Sequence, residues 1–205
     1  MLQPSSRELQ HWYRLMLSIL VAYTKDKRII GSGGRIPWNL PSERVRFKEI
    51  CAGRRVIMGH RTFAEIGKAL SYCTIVIVSH SMAKAVAQGE AVVPEGCLLS
   101  GSFEEAVKMC EMVEPVGSTV ERSSPEVLVA GGEEIYRQAL TLPCTTRIYA
   151  TEIYANFEGD RIFPPLSDYT GGEDAWSKKI ESRHQDKDSG IEYEYVTYEK
   201  LTLQK

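Results

Sequence analysis

Short apolar runs rich in β-branched residues, separated by helical patterns, constrain the fold of this 205-residue chain more than any other feature. Six runs have the length and composition of strands, namely 17–23, 55–58, 74–79, 97–100, 126–130 and 147–154. Helical patterns fit the segments between them, at 42–51, 61–68, 102–113 and 132–140. This alternation is typical of βαβ units around a largely parallel sheet.

The end of the chain has a different pattern. Two further strand-like runs, 177–184 and 191–200, flank the polar turn 185–190 and predict an antiparallel hairpin. The sequence therefore predicts one α/β domain. Its central sheet is mostly parallel and eight-stranded, with an antiparallel C-terminal hairpin and about four flanking helices.

Composition narrows the class of protein. The length suits one domain with a full core, and we assign residues 15–205 to it and residues 1–14 to an N-terminal extension. A net charge of −2 predicts no general affinity for nucleic acid or an anionic membrane. The apolar run 15–22 is too short to span a bilayer. Five scattered cysteines without a CxxC pair indicate reduced thiols in a cytoplasmic protein, with no metal site.

Three predicted strands end in residues that could bind a ligand, because ligands of open α/β sheets bind beyond the carboxyl ends of the strands. The first end, VIMGHRT (56–62), places two cationic residues and a threonine where phosphate is favoured, although Thr62 could also be a plain helix cap. The second, VLVAGG (127–132), has two glycines that allow close approach of a ligand or form a simple turn. The third ends in Ser79 and His80 without the motif of a serine hydrolase.

Glu43 is an ionisable residue on the apolar side of a predicted helix. It lies in the stretch IPWNLPSERVRFKEI (36–50), and its helical neighbours at i+4 and i+7 are Phe47 and Ile50. A first-turn glutamate commonly does no more than stabilise the helix dipole. A desolvated carboxyl, however, has a raised pKa and can hold a proton near neutral pH. Spacing alone leaves both interpretations open.

Taken in order along the chain, these segments resemble dihydrofolate reductase. The matched segments begin with LSILVAYTKDKRIIG (17–31) and IPWNLPSERVRFK (36–48). They continue with VIMGHRTFAEIG (56–67), VLVAGGEEIY (127–136) and TEIYANFEGDRIFP (151–164). The resemblance implies NADPH-dependent reduction of 7,8-dihydrofolate to tetrahydrofolate, and sensitivity to antifolate inhibitors. It also implies a monomer and a cis peptide between Gly131 and Gly132.

The resemblance also implies a role for each matched residue. Glu43 would bind the pterin and favour its protonation, with Trp38 ordering a water, Thr151 hydrogen-bonding the carboxylate and Tyr136 lying near the nicotinamide. The other substrate-pocket positions are Leu20, Val21, Ala22, Ile36, Arg44, Phe47, Thr62, Ile66, Leu70 and Ala130. The cofactor positions are Ala22, Ile30, Gly59, His60, Arg61, Thr62, Ser79, His80, Gly131, Gly132, Glu133, Glu134, Ile135 and Tyr136.

One position departs from the pattern of the family. Cys73 stands where the family has an arginine that binds the carboxylate of the folate tail. A neutral thiol cannot replace a guanidinium in that role. We expect Arg44 to take it over, with Arg46 and Lys68 as further candidates.

Two alternatives stay open on the sequence alone. A related NADPH-dependent dihydropterin reductase could lack the tail contact, whereas the pyrimidine-ribotide reductases on the same fold lack the Trp-Pro-acid helix. A non-catalytic protein that binds NADPH or pterin is the alternative of a different class. Glu43 and Trp38 favour the enzyme.

Overall fold

The computed structural model describes residues 16–112, 126–169 and 171–201. Along the chain the first elements are β1 (Met16–Thr24), β2 (Ile29–Gly31), α1 (Pro41–Cys51), β3 (Arg55–Gly59), α2 (His60–Ile66), β4 (Thr74–Val78), α3 (His80–Ala87) and β5 (Cys97–Ser100). They are followed by α4 (Phe103–Met112), β6 (Glu126–Val129), α5 (Glu133–Thr141), β7 (Thr145–Tyr154), β8 (Arg161–Ile162), β9 (Trp176–Gln185) and β10 (Glu192–Lys200).

Eight strands form the central sheet in the order β5-β4-β3-β6-β1-β7-β10-β9. The pairs from β5 through β7 are parallel, whereas β10 is antiparallel to both β7 and β9. The predicted fold class, including the C-terminal hairpin, is confirmed. Two short strands that the sequence did not predict, β2 and β8, form a separate antiparallel pair.

Helices cover the parallel part of the sheet on both faces, so the inner strands β3, β4 and β6 are buried along most of their length. Alternate residues of β3 pack into two different clusters, with Ile57 on the side of α4 and α5 and Val56 and Met58 on the side of α1 and α2. The same alternation on β1 separates Ile19 from Leu20. Buried apolar surface on both faces holds the strand ends at fixed positions.

The helices differ from the prediction by one. Helix α3, His80–Ala87, follows β4 directly and was not predicted, so five helices lie in the described ranges instead of about four. Ser79 caps this helix, because its hydroxyl accepts a hydrogen bond from the Met82 amide at 3.2 Å. No residue of α3 is buried, so the helix contributes no fully buried side chain to the core.

Three sequence-based statements fall outside the described residues or remain untested. The N-terminal extension 1–14 and most of the polar loop 113–126 lie outside them. The division of the chain at residue 15 therefore stays a prediction. In the described ranges, no helix has the length and apolar character needed to cross a membrane.

Candidate active site

Glu43 and Thr151 meet where α1 packs across β7. Pro41 begins the helix, and Glu43 in its first turn is half-buried. Thr151 is fully buried, and its hydroxyl donates to Glu43 Oε2 at 2.5 Å. Burial raises the pKa of Glu43 to about 7, even though the Thr151 hydrogen bond and the nearby Arg46 charge both lower it. This carboxyl can therefore gain and lose a proton near neutral pH.

The predicted apolar wall of the pocket is assembled beside this pair. Phe47, Ile66 and Leu70 are half-buried and pack against one cluster that also contains Leu20 and Ala130. On the same strand as Leu20, Val21 is buried and Ala22 is half-buried. Phe47 of α1, Ile66 of α2 and Leu20 of β1 thus share one apolar cluster, whereas Val21 packs into the main core. The contacts of all these residues with a substrate stay predictions.

Tyr136 connects this region to the neighbouring glycine turn. It is buried in α5, and its hydroxyl donates to the Leu20 carbonyl at 2.9 Å. A Cβ atom placed on Gly131 would lie 3.2 Å from the same hydroxyl. Burial strongly raises the pKa of Tyr136, with Glu43 the next cause, so the phenol stays neutral.

Two glycine turns lie together at the ends of β3 and β6. The Gly59 amide donates to the Gly131 carbonyl at 2.7 Å, and the peptide between Gly131 and Gly132 is cis, as predicted. Gly131 has φ 111°, a conformation that favours glycine. The Thr62 hydroxyl lies over this peptide, 3.4 Å from where a Cβ of Gly132 would be. Backbone and hydroxyl groups are therefore concentrated at one edge of the sheet.

Basic side chains stand next to these turns. His60 and Arg61 begin α2 and are exposed. His80 is exposed at the start of α3, while the Ser79 hydroxyl serves as the cap of that helix. The Arg61 guanidinium and the imidazole groups at this edge could donate hydrogen bonds to an anionic ligand such as phosphate.

The side chains in the first turn of α5 make contacts within the protein. Glu133 accepts hydrogen bonds from Arg137 and from the Ile162 amide, and exposed Glu134 accepts one from Gln138. Ile135 is buried in the main core. The side chains of these residues are engaged within the protein, so their cofactor role stays a prediction that concerns the backbone.

Three other predicted residues lie at the borders of the site. Trp38 is buried and packs at a tilt against Phe157, with 5.8 Å between ring centroids. Ile36 is half exposed, and its amide donates to the Glu65 side chain at 2.7 Å. Ile30 is half-buried and packs against the main core. Their contacts with ligands stay predictions.

The structure also shows what occupies the position of the missing arginine. Cys73 is buried in the apolar cluster beside α1, and burial raises the pKa of its thiol to about 12. It therefore presents no charge to a ligand. Arg44 is exposed and donates to the side-chain oxygen of Asn39 at 2.9 Å. Within the described residues, no carboxylate neutralises Arg44.

Arg46 behaves differently from the expectation that it might bind a ligand tail. It points inward, where its Nη1 donates to the Ala150 carbonyl at 2.8 Å and to Thr151 Oγ1 at 2.9 Å. Its guanidinium also lies over the Tyr195 ring, 4.0 Å from the centroid. The i, i+3 spacing from Glu43 indicates that the two residues share a helix face, but it does not indicate that Arg46 reaches β7.

A shallow cavity of about 330 Å³ lies beside Trp38. It is lined by Pro37, Trp38, Asn39, Pro41, Phe157, Asp186, Asp188, Ser189 and Ile191. Trp38 is its one lining residue among those predicted for the site, so this cavity is distinct from the predicted pterin pocket.

The fold is that of an α/β protein with a parallel sheet, and beside this sheet burial raises the pKa of Glu43 to about 7. A family model described as dihydrofolate reductase matches residues 16–200. The chain belongs to the dihydrofolate reductase family. It is accordingly an NADPH-dependent oxidoreductase that acts on dihydrofolate.

Individual relatives agree along almost the whole chain. Dihydrofolate reductase of Bacillus subtilis strain 168 is 30% identical over 192 residues, which cover 93% of this chain and 98% of the relative. The Staphylococcus haemolyticus enzyme is 29% identical over 191 residues, covering 93% and 99%. In three dimensions the chain resembles an Enterococcus faecalis dihydrofolate reductase complexed with NADP(H) and RAB-propyl. The TM-score is 0.71 at 23% identity, and the match covers 91% of this chain and 97% of the other.

Proposed function

We propose that this chain reduces 7,8-dihydrofolate to 5,6,7,8-tetrahydrofolate. In this reaction Glu43 would bind the pterin and favour its protonation. The observation that supports this is a half-buried carboxyl, hydrogen-bonded to Thr151, whose pKa is raised to about 7. Such a group can bind the pterin's donor groups when ionised and can retain a proton at working pH. Glu43 and Thr151 would together fix the orientation of the ring.

The residues at the carboxyl edge fit NADPH. The turns at Gly59 and Gly131 are joined by a hydrogen bond, and Gly131 has little space for a side chain. Exposed His60 and Arg61 stand beside these turns as partners for phosphate. When bound, the nicotinamide supplies the hydride. Tyr136 and Leu20 would form the wall against which the ring is placed, and apolar Phe47 would exclude water from the substrate side.

The tail of the substrate has a separate proposal. Arg44 would bind the tail carboxylate, since its present partner is the neutral Asn39 amide and Cys73 is buried. Measuring the Michaelis constant of Arg44→Ala for dihydrofolate, beside that for a dihydropterin without the tail, tests this. A rise of about tenfold for dihydrofolate alone is expected from the loss of one charged hydrogen bond. An unchanged Michaelis constant for dihydrofolate would contradict the role of Arg44.

We further propose that the protein acts as a cytoplasmic monomer without nucleic-acid partners.

Oxidation of NADPH at 340 nm in the presence of dihydrofolate tests the central proposal. Glu43→Gln keeps the shape of the side chain but cannot hold the proton, and we expect the rate to fall by about 10²- to 10⁴-fold. Glu49→Gln is the matched control, because Glu49 is an exposed glutamate on the same helix. Equal rates in wild type and Glu43→Gln would contradict the role of Glu43, and no activity with any dihydropterin would favour a binding protein.

A further inference from the structure

A chain of hydrogen bonds connects three side chains beside the proposed pterin pocket. Arg46 Nη1 donates to Thr151 Oγ1 at 2.9 Å, and Thr151 Oγ1 lies 2.5 Å from Glu43 Oε2. A threonine hydroxyl has a single proton, and a guanidinium can only donate. The Thr151 oxygen must therefore accept a hydrogen bond from Arg46. As a result, the one proton of the Thr151 hydroxyl is directed to Glu43.

Arg46 is held in this position by contacts on both sides. The same nitrogen donates to the Ala150 carbonyl at 2.8 Å, and the guanidinium plane lies over the Tyr195 ring. Hydrogen bonds to β7 and a cation–π contact to β10 leave a planar group little freedom to rotate. The i, i+3 spacing on α1 places Arg46 and Glu43 on the same side of the helix.

We propose that Arg46 is a positioning residue for the reduction: it orients the Thr151 hydroxyl toward Glu43 and sets the pH range in which Glu43 retains its proton. The inference rests on the proposed function of Glu43 and adds a cation that acts on it through Thr151. Burial favours the protonated carboxyl, and a cation one hydroxyl away favours the ionised one. Arg46 therefore keeps Glu43 from being protonated throughout the neutral range.

Other ionisable groups face this pair from the neighbouring elements. Tyr136 of α5, Tyr149 of β7 and Tyr195 of β10 are neutral at working pH, because burial raises the pKa of each. Glu181 of β9 is exposed and stays ionised, since its hydrogen bond from Lys179 lowers its pKa. His184 of β9 lies on the Tyr195 ring, with 4.6 Å between centroids. It is the imidazole among these neighbouring groups, so a variant at this position serves as a control.

The test measures hydride transfer in a single turnover as a function of pH and, independently, the titration of the Glu43 carboxyl by ¹³C NMR in the protein without ligands. Glu43→Gln identifies the Glu43 resonance. In Arg46→Met we expect both the alkaline limb of the rate profile and the titration midpoint to move upward by about one pH unit, which is a tenfold change in proton affinity. Arg46→Lys keeps the positive charge but lacks the planar guanidinium. The Glu43 midpoint in this variant should therefore lie between those of the wild type and Arg46→Met.

Controls separate this effect from a general change of charge. Arg183→Met removes an exposed arginine that pairs with Glu194, and His184→Gln removes the nearby imidazole. Neither is expected to move the Glu43 midpoint. If Arg46 acts through Thr151, the double variant Arg46→Met/Thr151→Val should shift by less than the sum of the single shifts.

The outcomes are distinguishable. An unmoved Glu43 midpoint in folded Arg46→Met, or additive shifts in the double variant, would overturn the inference. Arg46→Lys provides the same comparison with a milder change if Arg46→Met fails to fold. Loss of reductase activity in the wild type itself would contradict the proposed function, whereas the NMR titration would still decide the role of Arg46.

Discussion

Two neighbouring residues of β7, Thr151 and Glu152, point to opposite faces of the strand, and the carboxyl groups of Glu43 and Glu152 lie on these two faces. On one face Thr151 supplies a single hydroxyl to Glu43. On the other, Glu152 is fully buried and accepts hydrogen bonds from Lys25 and Lys178, at 2.5 and 2.9 Å, and from Tyr23 at 3.0 Å. Tyr198 also donates to it.

The two carboxyl groups have opposite properties although both are removed from water. Burial alone raises the pKa of each. For Glu43 that effect prevails, and its pKa is raised to about 7. For Glu152 the hydrogen bonds from Lys25, Tyr198 and Lys178 outweigh burial and lower its pKa to about 2. The number and charge of the donors, more than depth, therefore decide whether a carboxyl is part of the structure or is available for proton transfer.

The largest expected effect in this comparison is on stability. Glu152→Gln leaves two lysines without their buried partner, and we expect the free energy of unfolding to fall by about 3 kcal/mol. Urea denaturation at neutral pH measures it. Glu43→Gln removes a carboxyl group that burial makes costly to ionise, so the free energy of unfolding should fall by less than about 1 kcal/mol. Equal losses of unfolding free energy in Glu152→Gln and Glu43→Gln would contradict the assignment of a structural role to Glu152 alone.

The pH dependence of stability should have opposite signs on the two faces. The Glu43 pKa is raised, so its contribution is present below about pH 4.5 and is lost as the pH rises through about 7. The Glu152 pKa is lowered, so its contribution is present above about pH 4.5 and is lost as the pH falls toward 2. Each of these two contributions to the free energy of unfolding should change by about 2 kcal/mol, after allowance for partial exposure of the groups involved.

Unfolding free energies from pH 3 to 8 test this for wild type, Glu43→Gln and Glu152→Gln. The difference between wild type and Glu43→Gln should change between about pH 4.5 and 7. The difference for Glu152→Gln should change below pH 4.5. Changes of both differences in one common pH range would contradict the assignment.

The smallest effects come from removing one hydroxyl on each face. Thr151→Val preserves the side-chain shape but removes the donor to Glu43, so the alkaline limb of the activity profile should move to higher pH. The free energy of unfolding should fall by about 1 kcal/mol, because one hydrogen bond is lost. Tyr198→Phe removes one donor from Glu152 and should lower stability by a similar amount. We expect Tyr198→Phe to leave the activity profile in place, and a shift there would show that the two faces are coupled.

The sequence predicted the eight strands of the sheet because their apolar patterns span at least four residues, as in Thr74–Val78. It did not predict β2 and β8, which have three and two residues and no pattern of their own. Helix α3 was missed because it buries no side chain. Periodicity without a core face gives little information about an exposed helix.

For the site, the pattern on α1 identified Glu43, and the resemblance added Thr151 as its partner. The position of Arg46 could not be predicted, since its hydrogen bonds are to residues 104 and 105 positions away in the chain. The same is true of Glu152, whose lysine partners come from β9 and from the turn after β1. Pairings across a sheet depend on register, which local periodicity does not specify.

The most direct test of the contrast between the faces is a ¹³C NMR titration of both carboxyl groups in the wild-type protein, with resonances identified by Glu43→Gln and Glu152→Gln. We predict that Glu43 titrates with a midpoint of about 7, and that Glu152 stays ionised until the pH falls toward about 2. Midpoints for both groups near 4.5, the ordinary value for glutamate, would contradict the account.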